Sequence, residues 1–148
     1  MKPLKQFSEF LKEGIIRRQS PDKERAIFLV SESEDAYKFL IEMVKKVGID
    51  NSNANTFIKN AYDPMMELVR AILLTKGFNS SGSYAHEAEV AYLRELKFSE
   101  AEVQFANQLR YFRNGITYYG TKLDAEYAKK VLDFVGKIYP KLRNLFKI

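Results

Sequence analysis

The residues best suited to chemistry lie together in RYFRNGITYYG, residues 110 to 120. On a continuous helix, Arg110 and Arg113 are neighbours at i, i+3, and Asn114 and Tyr118 are neighbours at i, i+4. Arginine gives a phosphate paired hydrogen bonds, and a tyrosine ring offers a face on which a base can stack. The stretch therefore predicts a ligand-binding set: Arg110, Arg113, Asn114, Tyr118 and Tyr119.

The same stretch also has a purely structural interpretation. Arginines near the C-terminus of a helix complement its dipole, and tyrosines often bury the ring while the hydroxyl stays in water. Gly115 lowers helix stability by about 1 kcal/mol relative to alanine, which favours a close approach of another element, such as a neighbouring helix, to the backbone there. The residue types alone leave both interpretations open.

Other polar residues are candidates for the same site. His86, in SYAHEAEV, is either a hydrogen-bonded or solvated residue near a helix N-terminus or a group that serves the site. Asp63, Glu67 and Arg70 are spaced to form either a polar stripe facing the same cavity or a surface row of salt bridges. One histidine with scattered carboxylates lacks a metal-ligand spacing, so we expect no metal and no cofactor.

Composition restricts the class of protein. A chain of 148 residues is the usual size of one domain, and it can bury about two-thirds of its unfolded surface. The absence of cysteine excludes disulfides and thiolate chemistry. MKPLKQFSEFLKEG lacks the apolar stretch of a signal peptide, and the longest apolar run, AIFLV, is too short to span a bilayer. We therefore expect a cytoplasmic protein with no membrane contact.

Positive charge is concentrated in the C-terminal third of the chain. The net charge is +5, and residues 99 to 148 carry nine Lys or Arg against five Asp or Glu. This excess favours an anionic partner, although a solvated, lysine-rich helix face has the same composition.

Apolar residues recur at helical spacing almost everywhere, and strand signals are nearly absent. We predict an all-α, up-and-down antiparallel bundle of five to six helices in one domain of residues 1–148, with an N-terminal helix in residues 1–19 and a core bundle in residues 20–148. Pro64 predicts a kink in the third helix or its true start, and residues 77 to 83 read as a loop. The predicted helices run from Leu4 to Ile15, from Ser20 to Gly48, from Asn55 to Lys76, from Ser83 to Leu96, from Ser99 to Gly120, and from Thr121 and Asp124 onward. Ser20 and Ser83 are predicted to cap their helices, Ser99 forms a capping box with Glu102, and Thr121 with Asp124 resembles a helix start.

Two segments resemble HEPN domains. AYDPMMELVRAILLTKGFNSSGSYAHEAEVAYL is similar to the middle helices of that family, with a tyrosine-led helix, a lysine-glycine stop and a histidine that opens the next helix. RNGITYYG followed by TKLDAEYAKKVL resembles the end of the same domain. The resemblance covers roughly residues 20 to 146 and implies a HEPN-like bundle.

The resemblance also implies a site. Many HEPN proteins are metal-independent ribonucleases that dimerise around an arginine, a polar residue, and a histidine after four to six intervening positions. Here Arg113 takes the arginine position and Asn114 the polar one, while Tyr118 or Tyr119 falls where histidine should be. Tyrosine, with a pKa of about 10, is about one part in a thousand phenolate at pH 7, a deficit of roughly 4 kcal/mol for a base.

This departure favours a non-catalytic or degenerate HEPN-like binding module. It would form a homodimer and bind a nucleotide, RNA or a protein partner, such as the nucleotidyltransferase of a toxin–antitoxin system. The alternative is an active ribonuclease in which Arg113 stabilises the transition state, Asn114 orients the phosphate, and Tyr118 or His86 transfers the proton. A third possibility is a helical dimer whose polar cluster serves assembly alone.

Overall fold

The computed structural model describes residues 2–147, which form a helical bundle with one small antiparallel sheet. The all-α architecture predicted from the sequence is confirmed. None of the helices in this range is long and apolar enough to cross a membrane. The elements are α1 (Phe7–Lys12), β1 (Ile16–Arg18), α2 (Lys23–Val47), α3 (Ala54–Thr75), β2 (Phe78–Ser80), α4 (Ala85–Glu95), α5 (Glu100–Tyr119) and α6 (Ala125–Leu145).

The central helix of the bundle is α3, which contacts α2, α4, α5 and α6. Between Ala61 and Leu74 its buried apolar residues occupy nearly every side of the helix. A helix that is apolar all round is stable when neighbouring elements surround it. The core therefore forms around α3, and the few half-buried polar residues of this helix mark the places where the surrounding elements part.

Pro64 neither begins nor ends α3, because the helix continues through it. The carbonyl oxygen of Pro64 accepts a hydrogen bond of 2.7 Å from Ser33 Oγ on α2. The same Ser33 oxygen lies 2.8 Å from Tyr139 Oη on α6. A buried serine is thus fully hydrogen-bonded, and it joins three helices at the position of the proline.

Helix caps follow the sequence in part. The predicted capping box at Ser99 is present, with Glu102 N–H donating to Ser99 Oγ at 3.1 Å and Ser99 N–H donating to Glu102 Oε1 at 2.9 Å. Gly120 ends α5 in the left-handed conformation, as predicted. The start of α2 differs, because Asp22 rather than Ser20 caps it by accepting from the Arg25 N–H.

The starts of α4 and α6 also differ from the prediction. Tyr84 precedes α4 in a left-handed conformation, and the Ser83 side chain makes no cap there. Asp124 alone caps α6, through a hydrogen bond from the Tyr127 N–H, whereas Thr121 lies before the helix. In both α2 and α6 an aspartate replaces the hydroxyl that was expected to cap, which agrees with the strength of carboxylates as helix caps.

A short sheet replaces the end of the predicted first helix and part of the predicted loop. The helix ends at Lys12 instead of Ile15, and Ile16–Arg18 pairs with Phe78–Ser80. Gln19 N–H extends the pairing with a hydrogen bond of 2.8 Å to Gly77 O. A side chain at residue 77 would place Cβ only 2.6 Å from the carbonyl oxygen of Gln19, so glycine is required for this approach.

The N-terminal segment packs on the same core as the rest of the chain. The Phe7 ring makes edge contacts with Phe78 and Tyr92, at centroid distances of 5.4 and 4.7 Å. The Arg94 guanidinium of α4 donates to the carbonyls of Lys5 and Leu4, at 2.7 and 3.1 Å. These contacts hold residues 4 to 12 against α4.

Candidate functional site

A cleft of about 380 Å³ opens between α3, α4 and α5, and we call it the polar cleft. The cleft brings together three groups of candidate residues from separate parts of the sequence. They are the stripe of Asp63, Glu67 and Arg70 on α3, the single histidine, and part of the 110–120 stretch. Its lining consists of Tyr62, Asp63, Met66, Glu67, Arg70, His86, Arg113 and Asn114.

Arg113 binds Asp63 through two parallel hydrogen bonds between α5 and α3. Nε donates to Oδ1 and Nη2 donates to Oδ2, both at 3.1 Å, while Nη1 donates to Thr117 Oγ1 at 3.2 Å. The Arg113 side chain remains 26% exposed. The hydrogen bonds that Arg113 donates to Asp63 raise the pKa of Arg113 despite its partial burial, so the guanidinium is charged. These contacts leave one N–H on each terminal nitrogen for a further acceptor.

Beneath the cleft lies a buried carboxylate, Glu89 of α4, which is only 1% exposed. Arg70 of α3 binds it with two hydrogen bonds, at 2.7 and 2.9 Å. Ser80 Oγ of β2 donates to it at 2.9 Å, and His86 Nδ1 lies 3.4 Å from its Oε1. Burial alone would raise the pKa of Glu89, but the hydrogen bonds from His86, Arg70 and Ser80 and the charge of Arg70 together lower it.

Sequence reasoning missed Glu89. The available signal was its position among AEVAYL, where an acid falls inside a run of apolar residues on one short helix, three residues after His86. Acids are almost never fully buried without a partner. An acid in such a run therefore predicts a basic residue packed against it, which here is Arg70.

The structure places His86 and the α3 stripe in the same cleft as Arg113. His86 is exposed on the cleft side of α4. The stripe is not a row of salt bridges along one helix, because Asp63 pairs with α5 and Arg70 pairs with α4. Glu67 lies between them, and burial raises its pKa.

The predicted binding set of residues 110 to 119 is divided. Arg113 and Asn114 line the polar cleft. Arg110 lies in a neighbouring pocket, where its Nε donates to Asn107 Oδ1 at 3.0 Å and its Nη1 lies 3.7 Å from Glu87 Oε1. Tyr118 and Tyr119 are 71% and 84% exposed on the last turn of α5 and do not line the polar cleft.

The close approach predicted at Gly115 exists, but the neighbour is a loop and not a helix. A Cβ at residue 115 would lie 2.8 Å from Thr121 Oγ1. Asn55 fixes that loop, because its Nδ2 donates to Thr121 O and its Oδ1 accepts from Leu123 N–H, both at 2.9 Å. The turn after α5 thus folds back onto the helix that carries Arg113.

Tyr62 lies on the α3 side of the polar cleft and is 4% exposed. Its hydroxyl has no hydrogen-bond partner among residues 2–147. Burial, and after it the charge of Glu89, raises the pKa of Tyr62. Arg110 and Arg113 act in the opposite direction, but their effect is smaller. The phenol is therefore neutral at physiological pH.

The arrangement can hold an anion against Arg113. Within the described residues, no three His, Asp or Glu side chains are grouped so that they could hold a metal ion.

Comparisons of the chain with protein-family models, curated proteins and solved structures find no match.

The buried ion pair generates a stability prediction. Glu89→Gln leaves Arg70 without its counter-charge, and we expect unfolding to cost about 3 kcal/mol less than in the parent. The matched control is Glu100→Gln, which removes an exposed carboxylate paired with Arg94 and should cost less than about 1 kcal/mol. Urea unfolding at pH 7 measures both.

The pH dependence of the free energy of unfolding gives a second test with Glu89→Gln. Because the folded-state pKa of Glu89 is lowered, its contribution is complete above the pKa of an unfolded glutamate, about 4.3, and is lost as the pH falls through the lower folded value. The gap between parent and Glu89→Gln should therefore shrink below about pH 4. Equal stability of the two at pH 7 would show that the pair contributes nothing.

Proposed function

We propose that this protein is a HEPN-like, non-catalytic binding module whose polar cleft takes the phosphate group of a nucleotide or RNA. The observation that carries the proposal is the state of Arg113. Its guanidinium lines a cleft of about 380 Å³ and binds the Asp63 carboxylate with two parallel hydrogen bonds. Carboxylate and phosphate offer arginine the same pair of acceptor oxygens.

Asp63 can be displaced from Arg113 at small cost. The Asp63 side chain is about half exposed, and exposed ion pairs contribute only about 0–1 kcal/mol. A phosphate can also use the two N–H groups that the present contacts leave on Nη1 and Nη2. Asn114, on the same turn of α5, adds an amide within the cleft.

The non-catalytic part of the proposal rests on where the tyrosines lie. Tyr118 and Tyr119 occupy the positions at which the HEPN resemblance expects histidine, yet both side chains are exposed beyond the cleft. A base must stand within hydrogen-bond reach of the proton it removes. Neither phenol lines the cleft in which Arg113 lies.

The binding prediction uses a fluorescent oligouridylate of twelve nucleotides and measures anisotropy between 50 and 200 mM salt. Arg113→Ala should weaken binding about 10- to 100-fold, since a charge-assisted contact is worth about 1.5–3 kcal/mol. It should also reduce the salt slope by about 0.7. The control, Arg143→Ala, removes another acid-paired arginine, on α6, and should bind like the parent. If the parent protein does not change the anisotropy of the oligonucleotide at 50 mM salt, the proposal is contradicted.

Acid variants of α3 sharpen that measurement. Asp63→Asn frees the guanidinium and should tighten binding about two- to five-fold. Glu67→Gln removes one charge from the same cleft without a contact to Arg113, so it should have the smaller effect. Weaker binding by Asp63→Asn would mean that Asp63 positions Arg113 for the ligand and is not displaced by it.

A second candidate function is a metal-independent endoribonuclease, and the position of His86 favours it. His86 shares the polar cleft with Arg113 and Asn114, and Glu89 lies 3.4 Å behind its Nδ1. A carboxylate at one ring nitrogen leaves the other nitrogen for proton transfer. In this function His86 takes the 2′-hydroxyl proton as the 2′-oxygen bonds to phosphorus, and Arg113 stabilises the phosphorane. The bond from phosphorus to the 5′-oxygen then breaks, and water protonates the leaving 5′-oxygen.

Incubation of single-stranded RNA with the protein and a chelator separates the two functions. The binding module leaves the RNA intact, which is the result we expect. Cleavage that disappears in both Arg113→Ala and His86→Ala would establish the ribonuclease instead. Tyr118→Phe is the control, because its exposed phenol should matter to neither outcome.

We further propose that the protein forms a homodimer through α2 and α3. A groove of about 590 Å³ between these helices, which we call the apolar groove, is lined largely by apolar side chains, including Phe39, Met43, Val47 and Phe57. Phe39 and Val47 are more than half exposed, and contiguous exposed apolar surface marks interaction sites. Asp63 and Glu67 line both the groove and the polar cleft, so a second copy seated there lies beside the cleft.

Light scattering after size exclusion tests the dimer. At 50 µM we expect a mass near twice the 17.2 kDa of one chain. Phe39→Glu should shift the protein to monomer, because it places a charge in the apolar groove. Leu145→Glu, which charges an exposed apolar residue on α6, should stay dimeric. A monomeric parent, or a dimer indifferent to Phe39→Glu, excludes this interface.

A further inference from the structure

A second pocket of about 490 Å³ lies next to the polar cleft, between the N-terminal residues, α4 and α5. We call it the tyrosine pocket, because the rings of Tyr84 and Tyr111 both line it. Its lining also includes Phe10, Glu87, Asn107 and Arg110. Phe10 is fully buried and gives the pocket an apolar base.

The two cavities share one wall. On α4, His86 lines the polar cleft and the next residue, Glu87, lines the tyrosine pocket. On α5, Arg113 lines the first and Arg110, about one turn earlier, lines the second. A ligand longer than one nucleotide, bound at Arg113, therefore has the tyrosine pocket as its immediate neighbour.

Both tyrosines present exposed rings to the pocket, and Tyr84 does so from an unusual backbone conformation. Tyr84 and Tyr111 are both more than half exposed, although each carries a large apolar ring. Tyr84 also has a backbone φ of +70°, a left-handed conformation that costs a non-glycine residue roughly 1–2 kcal/mol. Such outliers persist where the surrounding structure holds them, and they cluster at binding sites.

Polar groups on the wall match the edge of a base. The Arg110 guanidinium supplies N–H donors and is held by Asn107 Oδ1 at 3.0 Å and near Glu87 Oε1 at 3.7 Å. The Glu87 carboxylate supplies acceptors. A flat heterocycle with donors and acceptors on its rim uses both the rings and these groups, whereas an aliphatic chain uses only the rings.

We propose that the tyrosine pocket is a nucleobase subsite, in which Tyr84 and Tyr111 stack the base of the nucleotide next to the one whose phosphate binds Arg113. The inference rests on the proposed function and extends it. The ligand is then a single-stranded oligonucleotide, because the tyrosine pocket takes the base of a second nucleotide and a mononucleotide has only one.

The test compares AMP with 5′-phosphorylated tetra-adenylate by calorimetry at 50 mM salt. The tetranucleotide should bind at least 10-fold more tightly than AMP. Tyr84→Ala and Tyr111→Ala should each weaken the tetranucleotide by about 5- to 100-fold while leaving AMP within two-fold of the parent. Tyr84→Phe and Tyr111→Phe keep the rings and should retain binding. Tyr119→Ala removes an exposed tyrosine outside both cavities and serves as the control.

The outcomes separate the two proposals. If AMP and tetra-adenylate bind equally, or if the alanine variants weaken both alike, the base subsite is excluded while the phosphate site stands. If neither probe binds the parent, both proposals are excluded. Melting temperatures within about 2 °C of the parent confirm that each variant is folded.

Discussion

The ionised Glu89 is the constraint on which the site depends. A carboxylate that is 1% exposed is tolerable only when its charge is matched, because isolated burial costs several kcal/mol. Arg70, Ser80 and His86 supply that match from three different elements, α3, β2 and α4. The pairing fixes α4 against α3, and with it the floor of the polar cleft. The small sheet shares in this arrangement, since β2 carries Ser80.

The two acid–arginine pairs of the cleft differ in kind, although both are bidentate. In the pair of Arg70 and Glu89 the carboxylate is buried, so separating the two would leave a buried charge without a partner. Asp63 and Arg113 stand at the rim, where water can replace either partner. The cleft therefore combines a fixed floor with an exchangeable rim. That combination suits ligand binding, because the floor keeps its geometry while the rim arginine changes partners.

The fold could be predicted from the sequence because α3 is apolar on nearly every side and the other helices have regular apolar spacing. It failed where tertiary contacts decide local structure. The spacing of Leu4, Phe7 and Leu11 continues to Ile15, yet the chain leaves the helix because Ile16–Arg18 pairs with a segment about sixty residues away. Glu89 was overlooked for the same reason, since its partner comes from another helix. Arg113, Asn114 and His86 were found by type, but only the folded chain shows that they share a cavity.

The division of Arg110 from Arg113 follows from helix geometry. Residues three apart on a helix with 3.6 residues per turn differ by about 60° in direction, enough to fall on either side of a ridge when another helix packs against that face. Here α4 packs against α5, and its consecutive residues His86 and Glu87 diverge in the same way. Spacing that reads as one cluster in the sequence thus becomes two cavities with a common wall. Under the proposed function, an extended ligand that engages both arginines crosses that wall, and the pair of cavities would then select for ligand length where a single cavity selects for charge.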